Sequence, residues 1–162
     1  ETSHESAAIF LSRTILLTQQ YKEIKGVWIY ELKDGGLDKS DKEHNFGLFD
    51  YKESPKPSYC KLNNILRHAS NKKLYVNPLK IGLITRQYTN EKQTEKISVI
   101  FTKNWANRNF GKKFEISSES DFELLDGSCQ EIKFSATRIL KLEINQDPIL
   151  IRHTKNLTIK TD

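Results

Sequence analysis

The sequence predicts two structural parts in succession: an α/β unit over residues 1–75 and an all-β, antiparallel sandwich over residues 76–162. Three observations support this prediction. Apolar residues recur at helical spacing in two segments of the first part. A short apolar run, typical of a buried strand, lies between those two segments. In the second part, short strands of alternating polarity follow one another, separated by polar turns.

The first part is expected to begin with a helix and continue into a strand. Helical spacing of apolar residues predicts a helix over residues 5–21, and Ser3 followed by Glu5 suits its start. The run VWIY at residues 27–30 is nearly continuously apolar. Such a run favours a strand buried on both faces, as in a parallel sheet that helices cover.

A polar loop and a second helix complete this part. The loop, over residues 33–45, is rich in Asp, Gly, Lys and His. Pro57 suits the first turn of a helix, and apolar residues on one side predict that this helix continues over residues 58–69. Helix, buried strand, polar loop and helix form one step of an α/β repeat.

The second part is predicted to contain only strands. Their expected positions are residues 80–88, 96–102, 112–117, 122–125, 131–134, 138–144, 149–152 and 157–160. Alternation along these strands predicts an interior made of Ile97, Val99, Phe101, Leu140, Leu142 and Ile149. The pair Asn90 and Glu91 superficially copies a catalytic acid/base motif, but it falls in an expected hairpin turn, and we interpret it as a turn.

Composition narrows the classes of protein. With 36% hydrophobic and 29% charged residues in 162, the chain is expected to be globular. Its longest apolar stretches, at residues 7–17 and 97–101, fall short of the roughly 20 residues that a membrane span needs. The chain opens ETSHE, without a secretory signal pattern, and it contains no Met. We therefore expect a fragment or a processed chain.

Charge and cysteines exclude further classes. The net charge of +5 comes from lysines and arginines dispersed among 21 acidic residues, which is typical of a solvated surface, so no nucleic-acid partner is predicted. Cys60 and Cys129 fit neither a zinc spacing nor a disulfide framework, and both are expected to be unpaired. No metal ion or cofactor is predicted.

Three motifs over residues 27–59 resemble the end of the barrel in retaining (β/α)₈ glycoside hydrolases, especially β-xylosidase-like and exopolysaccharide-processing enzymes. They are VWIYELKDGG at residues 27–36, EHNFGLFDY at 43–51 and PKPSY at 55–59. In those enzymes an aromatic-rich eighth strand is followed by an E-x-N-F-G-L loop and a P-K-P-x-Y helix start. The resemblance spans residues 5–70. The sandwich resembles their C-terminal domain more loosely, through the closing LEINQDPILI at residues 142–151.

The resemblance implies that the first part is a (β/α)₈ barrel remnant, namely the last barrel strand and helix. The catalytic glutamates of such enzymes end the fourth and seventh strands, so no catalytic residue is assigned in this chain. What remains is the eighth-strand rim of a sugar site, with an aromatic face for the sugar and polar groups for its hydroxyls. The candidate substrate-binding residues are Trp28, Tyr30, Glu31, Asp34, Glu43, His44 and Asn45.

The expected partners are a glycan and the missing N-terminal barrel portion, supplied as a separate chain or by the same precursor. The resemblance also implies a periplasmic or extracellular location. Two alternatives remain for the sandwich: a non-catalytic carbohydrate-binding or interaction module, or a purely structural domain. A binding face usually carries exposed aromatic residues. The sandwich offers Tyr88, Trp105, Phe110 and Phe122 as candidates.

Overall fold

The computed structural model describes residues 3–77, 82–103, 112–125, 129 and 136–161. In these residues two helices and a short 3₁₀ turn precede seven strands. The helices are α1 (His4–Thr18) and α2 (Pro57–Ala69), and the 3₁₀ turn is Lys42–His44. The strands are β1 (Lys73–Asn77), β2 (Leu83–Thr89), β3 (Lys96–Thr102), β4 (Lys112–Leu125), β5 (Thr137–Ile144), β6 (Ile149–His153) and β7 (Leu157–Thr161).

Both predicted helices are confirmed, together with the residues that start them. The Ser3 hydroxyl accepts a hydrogen bond from the backbone N–H of Ser6, which caps α1. Pro57 occupies the first turn of α2, where a missing N–H costs nothing. Helix α1 ends at Thr18, three residues earlier than the apolar spacing predicted.

The buried strand expected over residues 27–30 is not formed in this chain by itself. These residues lie in the segment between α1 and α2, outside every described strand, and the side chains of Trp28 and Tyr30 are 88% and 70% exposed. A run of apolar side chains favours burial, but a strand also needs neighbouring strands to pair with its backbone. The described residues provide no such neighbour.

The strands pair in antiparallel fashion, as predicted, but the described strands form one curled sheet and not the expected sandwich of two separate sheets. Its order is β1-β2-β3-β6-β4-β5, with β7 also pairing with β4. Strand β4 combines the two strands predicted at 112–117 and 122–125, because the chain continues through a register shift between Ser117 and Phe122. Its first half pairs with β5 and β7, and its second half pairs with β6. This long strand therefore joins the two halves of the sheet.

One strand was not predicted, and one predicted strand lies outside the described residues. Strand β1, which pairs with β2 over its whole length, was missed, because its flanking Asn and Lys residues favoured a boundary. The strand predicted over residues 131–134 lies outside the described residues. The turn interpretation of Asn90 is confirmed, since its side-chain oxygen accepts hydrogen bonds from the backbone N–H groups of Thr94 and Glu95 at 2.9 and 3.2 Å.

Two hydrophobic cores lie on opposite faces of β3. Ile97, Val99 and Phe101 pack with Leu16 of α1 and Ile65 of α2. Ile100 belongs to the second core, which the two halves of the curled sheet enclose; its other buried members are Leu83, Phe114, Ile116, Phe122, Ile144 and Ile151. Of the other predicted interior residues, Leu140, Leu142 and Ile149 are half-buried against this second core. The helices and the sheet therefore share a core.

Two buried arginines connect α1 to the sheet. The guanidinium of Arg13 donates to the carbonyl oxygens of Thr102 and Gln146 at 2.9 and 3.2 Å. Arg86 of β2 donates to the carbonyl oxygen of Leu16 at 3.1 Å. Burial lowers the pKa of both guanidinium groups from their ordinary value. These bonds link α1 to the carbonyl ends of the sheet and its turns through buried donors.

Cys60 and Cys129 form a disulfide bond, so the expectation that both are unpaired is wrong. Cys60 is buried in α2, and the bond fixes that helix to a point 69 residues further along the chain. Sequence spacing could not predict this pair, because the fold alone brings the two positions together.

Candidate functional site

The candidate residues lie on the exposed segment of residues 24–30 and on the loop that follows it. Residues 31–34 run alongside residues 46–49, with Leu48 N–H donating to Glu31 O at 3.0 Å and Phe49 N–H donating to Leu32 O at 2.9 Å. We call residues 31–49, which this short parallel ladder closes, the rim loop. Seven residues separate the rim loop from helix α2, and the backbone N–H of Lys56 at the helix start donates to the carbonyl oxygen of Leu48 at 2.9 Å.

The aromatic candidates are both on the surface. The indole of Trp28 lies against Gly26, where a Cβ atom would come within 2.9 Å of the ring. The ring of Tyr30 meets Phe46 of the rim loop edge-on, with centroids 6.1 Å apart. The Tyr30–Glu31 peptide bond is cis. Exposed aromatic rings of this kind offer flat apolar faces to a ligand.

His44 borders Gly35 and Gly36 of the rim loop, and Glu31 borders Gly35. A Cβ atom on Gly35 would lie 4.0 Å from Glu31 Oε1 and 3.8 Å from His44 Cδ2. On Gly36 it would come within 2.5 Å of the imidazole, so a side chain there would displace His44. Among the described residues, Glu31 Oε1 and His44 Nδ1 are buried atoms without a hydrogen-bond partner. Both groups therefore keep unused hydrogen-bonding capacity.

Glu43 and Asn45 belong to the 3₁₀ turn and its end. Glu43 is exposed, and its backbone N–H donates to the carboxylate of Asp41, which caps the turn. The side-chain amide of Asn45 donates to the carbonyl oxygens of Asp38 and Asp41 at 3.2 and 2.5 Å. The Asn45 amide thus closes the loop internally, whereas the Glu43 carboxylate faces outward.

Asp34 lies inside the rim loop, in a buried ion pair. Its Oδ1 accepts from Lys56 Nζ at 2.5 Å and from the backbone N–H of Gly47 at 2.8 Å. Lys56 Nζ also donates to the carbonyl oxygen of Asn45 at 3.1 Å. The side chains of Lys56 and Asp34 are only 9% and 8% exposed. Sequence reasoning quoted Lys56 within a motif but gave it no role, because its partner lies 22 residues away.

An apolar groove of about 320 Å³ lies beside the exposed segment. Side chains from α1, α2 and the segment itself line it, among them Ile15, Ile24, Val27, Leu62 and Leu66. The apolar pattern predicted that helices cover a strand at residues 27–30 and did not indicate a groove here.

Two of the four aromatic candidates of the sandwich are among the described residues, and both are buried. Tyr88 and Phe122 are buried in the two cores, while Trp105 and Phe110 lie outside the described residues. Burial raises the pKa of the Tyr88 hydroxyl to about 12, and this hydroxyl donates to the side-chain oxygen of Gln19. Neither of the two described aromatics is available to a ligand.

Among the described residues, no group of three or more His, Cys, Asp or Glu side chains is arranged to hold a metal ion. In the same part of the chain, no helix is long and apolar enough to cross a membrane.

The fold resembles that of a solved glycoside hydrolase of family 39 from the gut symbiont Bacteroides cellulosilyticus WH2. The TM-score is 0.70 and the sequence identity is 22%; the match covers 91% of this chain and 30% of that chain. This chain thus spans less than a third of that protein's length. At this identity the likeness shows a shared fold. No protein-family model and no curated protein matches the chain.

Proposed function

We propose that this chain forms the C-terminal portion of a glycoside hydrolase that acts on a β-linked glycan or exopolysaccharide. In this proposal residues 27–30 are the last strand of a (β/α)₈ barrel, and the rim loop borders its sugar site. The observation that carries the proposal is the stretch of residues 27–30, where the side chains of Trp28 and Tyr30 are largely exposed and the backbone makes no hydrogen bond to another described residue.

The backbone of this segment supports a missing protein partner. Residues 27–30 make no backbone hydrogen bond to another described residue. Apolar side chains next to unpaired N–H and C=O groups fit a strand that gains neighbours on both sides. The fold neighbour continues for more than twice the matched length, which leaves room for such strands in a related protein. We therefore assign the segment to a barrel portion in the same precursor or a separate chain.

The rim supports the sugar-binding part of the proposal. Trp28 and Tyr30 offer apolar ring faces to the C–H side of a sugar. Glu31, next to Tyr30, and His44 each hold a buried polar atom without a hydrogen-bond partner among the described residues, and the side chain of Glu43 is exposed. A retaining mechanism needs an acid/base and a nucleophilic carboxyl group roughly 5 Å apart, and in this proposal the remainder of the barrel supplies both.

The sheet is assigned a structural role in this proposal. Its described aromatic candidates are buried, and the sheet shares a core with α1 and α2, which would flank the barrel strand. A carbohydrate-binding module would instead present aromatic faces to solvent. The disulfide supports a periplasmic or extracellular location, since such bonds form and persist in oxidising compartments.

The test is the reading frame upstream of Glu1 and the activity of its whole product. We expect further βα units ending in two suitable glutamates, and hydrolysis of aryl β-glycosides with retention. Tyr30→Ala should raise KM by about threefold to tenfold, the worth of one aromatic contact. Tyr75→Ala is the matched control, because Tyr75 is also exposed but lies on β1. An upstream sequence without a barrel would overturn the proposal.

Amide exchange on the 162-residue chain gives an independent test. In a proven monomer the amides of Trp28 and Tyr30 should exchange rapidly, whereas those of β3 should be strongly protected. Strong protection of Trp28 and Tyr30 without any partner would contradict a missing barrel neighbour.

A further inference from the structure

We propose that Asp34 and Lys56 are positioning residues, which hold the rim loop in the shape that presents Glu31 and His44 to a ligand. The inference rests on the proposed sugar site, and it concerns a buried pair that need not touch the sugar. It gives Asp34 a different task from direct hydrogen bonding to a hydroxyl.

The Asp34 carboxylate is already hydrogen-bonded inside the protein. Its Oδ1 accepts from two donors, Lys56 Nζ and the N–H of Gly47, and the pair is more than nine-tenths buried. A buried ion pair keeps its geometry only when further hydrogen bonds satisfy the charges. Here Gly47 satisfies the carboxylate, and the carbonyl oxygen of Asn45 satisfies the ammonium.

The hydrogen bonds of the Asp34–Lys56 pair join both sides of the rim loop. Asp34 lies on the first ladder strand, and its own N–H donates to Phe49 O at 3.0 Å. Gly47 lies on the returning side, and Lys56 directly precedes α2. The ammonium of Lys56 therefore fixes both sides of the loop to the start of a helix that is packed into the core.

The backbone around Gly47 is packed too closely to admit a side chain there. A Cβ atom at Gly47 would lie 2.3 Å from Asp34 N and 2.5 Å from Phe49 O. Between Asp34 and Gly47 the chain passes Gly35, which borders both the Glu31 carboxylate and the His44 ring, and Gly36, which borders the His44 ring. Loss of the ion pair would release this stretch without disturbing the sheet.

The test compares Lys56→Met and Asp34→Asn with the unmodified 162-residue chain by NMR-detected amide exchange. The amides of Gly47, Leu48 and Phe49 should exchange at least about 100-fold faster in both variants. The exchange rates of the Ile97, Val99 and Phe101 amides in β3 should change by less than about threefold. A pair that only stabilised the whole fold would instead accelerate exchange in β3 as much as in the loop. Lys61→Met is the matched control, because Lys61 forms an ion pair with Asp147 away from the loop.

Unchanged exchange in the rim loop, or equal acceleration in β3, would overturn the inference. If a variant fails to fold, the unmodified chain still decides: Gly47 should exchange no faster than Leu48, and faster exchange contradicts the bond to Asp34. Titration of the whole protein with xylohexaose distinguishes failure of this inference from failure of the proposed function. If the rim loop loosens in the variants but the whole protein neither binds nor cleaves β-glycans, the proposed function is refuted, and only the role of the ion pair in holding the loop remains.

Discussion

Removing the disulfide should cost this protein a large share of its stability. The bond closes a loop between Cys60 and Cys129, which are 69 residues apart. The chain-entropy relation gives about 4 kcal/mol at 25 °C for a loop of this length. Since small domains are stable by about 5–15 kcal/mol, the Cys60→Ala/Cys129→Ala variant should remain folded but unfold much earlier.

The assay is urea unfolding followed by circular dichroism. At an m-value of about 2 kcal/mol/M the midpoint should fall by roughly 2 M in the double variant. Reductant should lower the midpoint of the unmodified chain by a similar amount and leave the double variant unchanged, which is the matched control. Two titratable thiols in the native, unreduced protein, or a loss below about 1 kcal/mol, would refute the reasoning.

Three further predictions follow from the cores, the titratable groups and the missing carboxylates. Ile97 is fully buried between sheet and helices, and Ile97→Ala should lower the free energy of unfolding, measured in urea, by about 2–5 kcal/mol. Ile139 is 60% exposed, and Ile139→Ala should lower it by under about 1 kcal/mol. Equal losses would contradict the shared core. Burial lowers the pKa of His153, so the unfolded state binds the proton more readily and unfolding free energy should fall as pH drops below about 6.5. His153→Gln should flatten this dependence in thermal melts from pH 7.5 to 5, and an unchanged slope would contradict it. The purified 162-residue chain should not hydrolyse aryl β-glycosides, because no catalytic carboxyl pair is assigned to it; turnover that survives repurification would show otherwise.

The sequence by itself determined the helices and most of the strands. Ser3 and Pro57 mark helix starts through interactions within a few residues, and the alternation along β3 depends on the backbone period alone. The motifs at residues 27–59 also indicated the rim loop as the candidate site. Whether all seven candidate residues bind a sugar stays a prediction.

Only the tertiary structure decided which residues meet across the chain. Alternation placed Ile97 and Phe101 inside, but helices cover their face of β3 while the curled sheet covers Ile100. An apolar run at residues 27–30 could not form a strand without neighbours to accept its backbone. Likewise, the Cys60–Cys129 bond joins positions that local patterns treat independently. Local sequence sets propensity and period, whereas burial and pairing depend on contacts between distant segments, which the folded chain alone brings together.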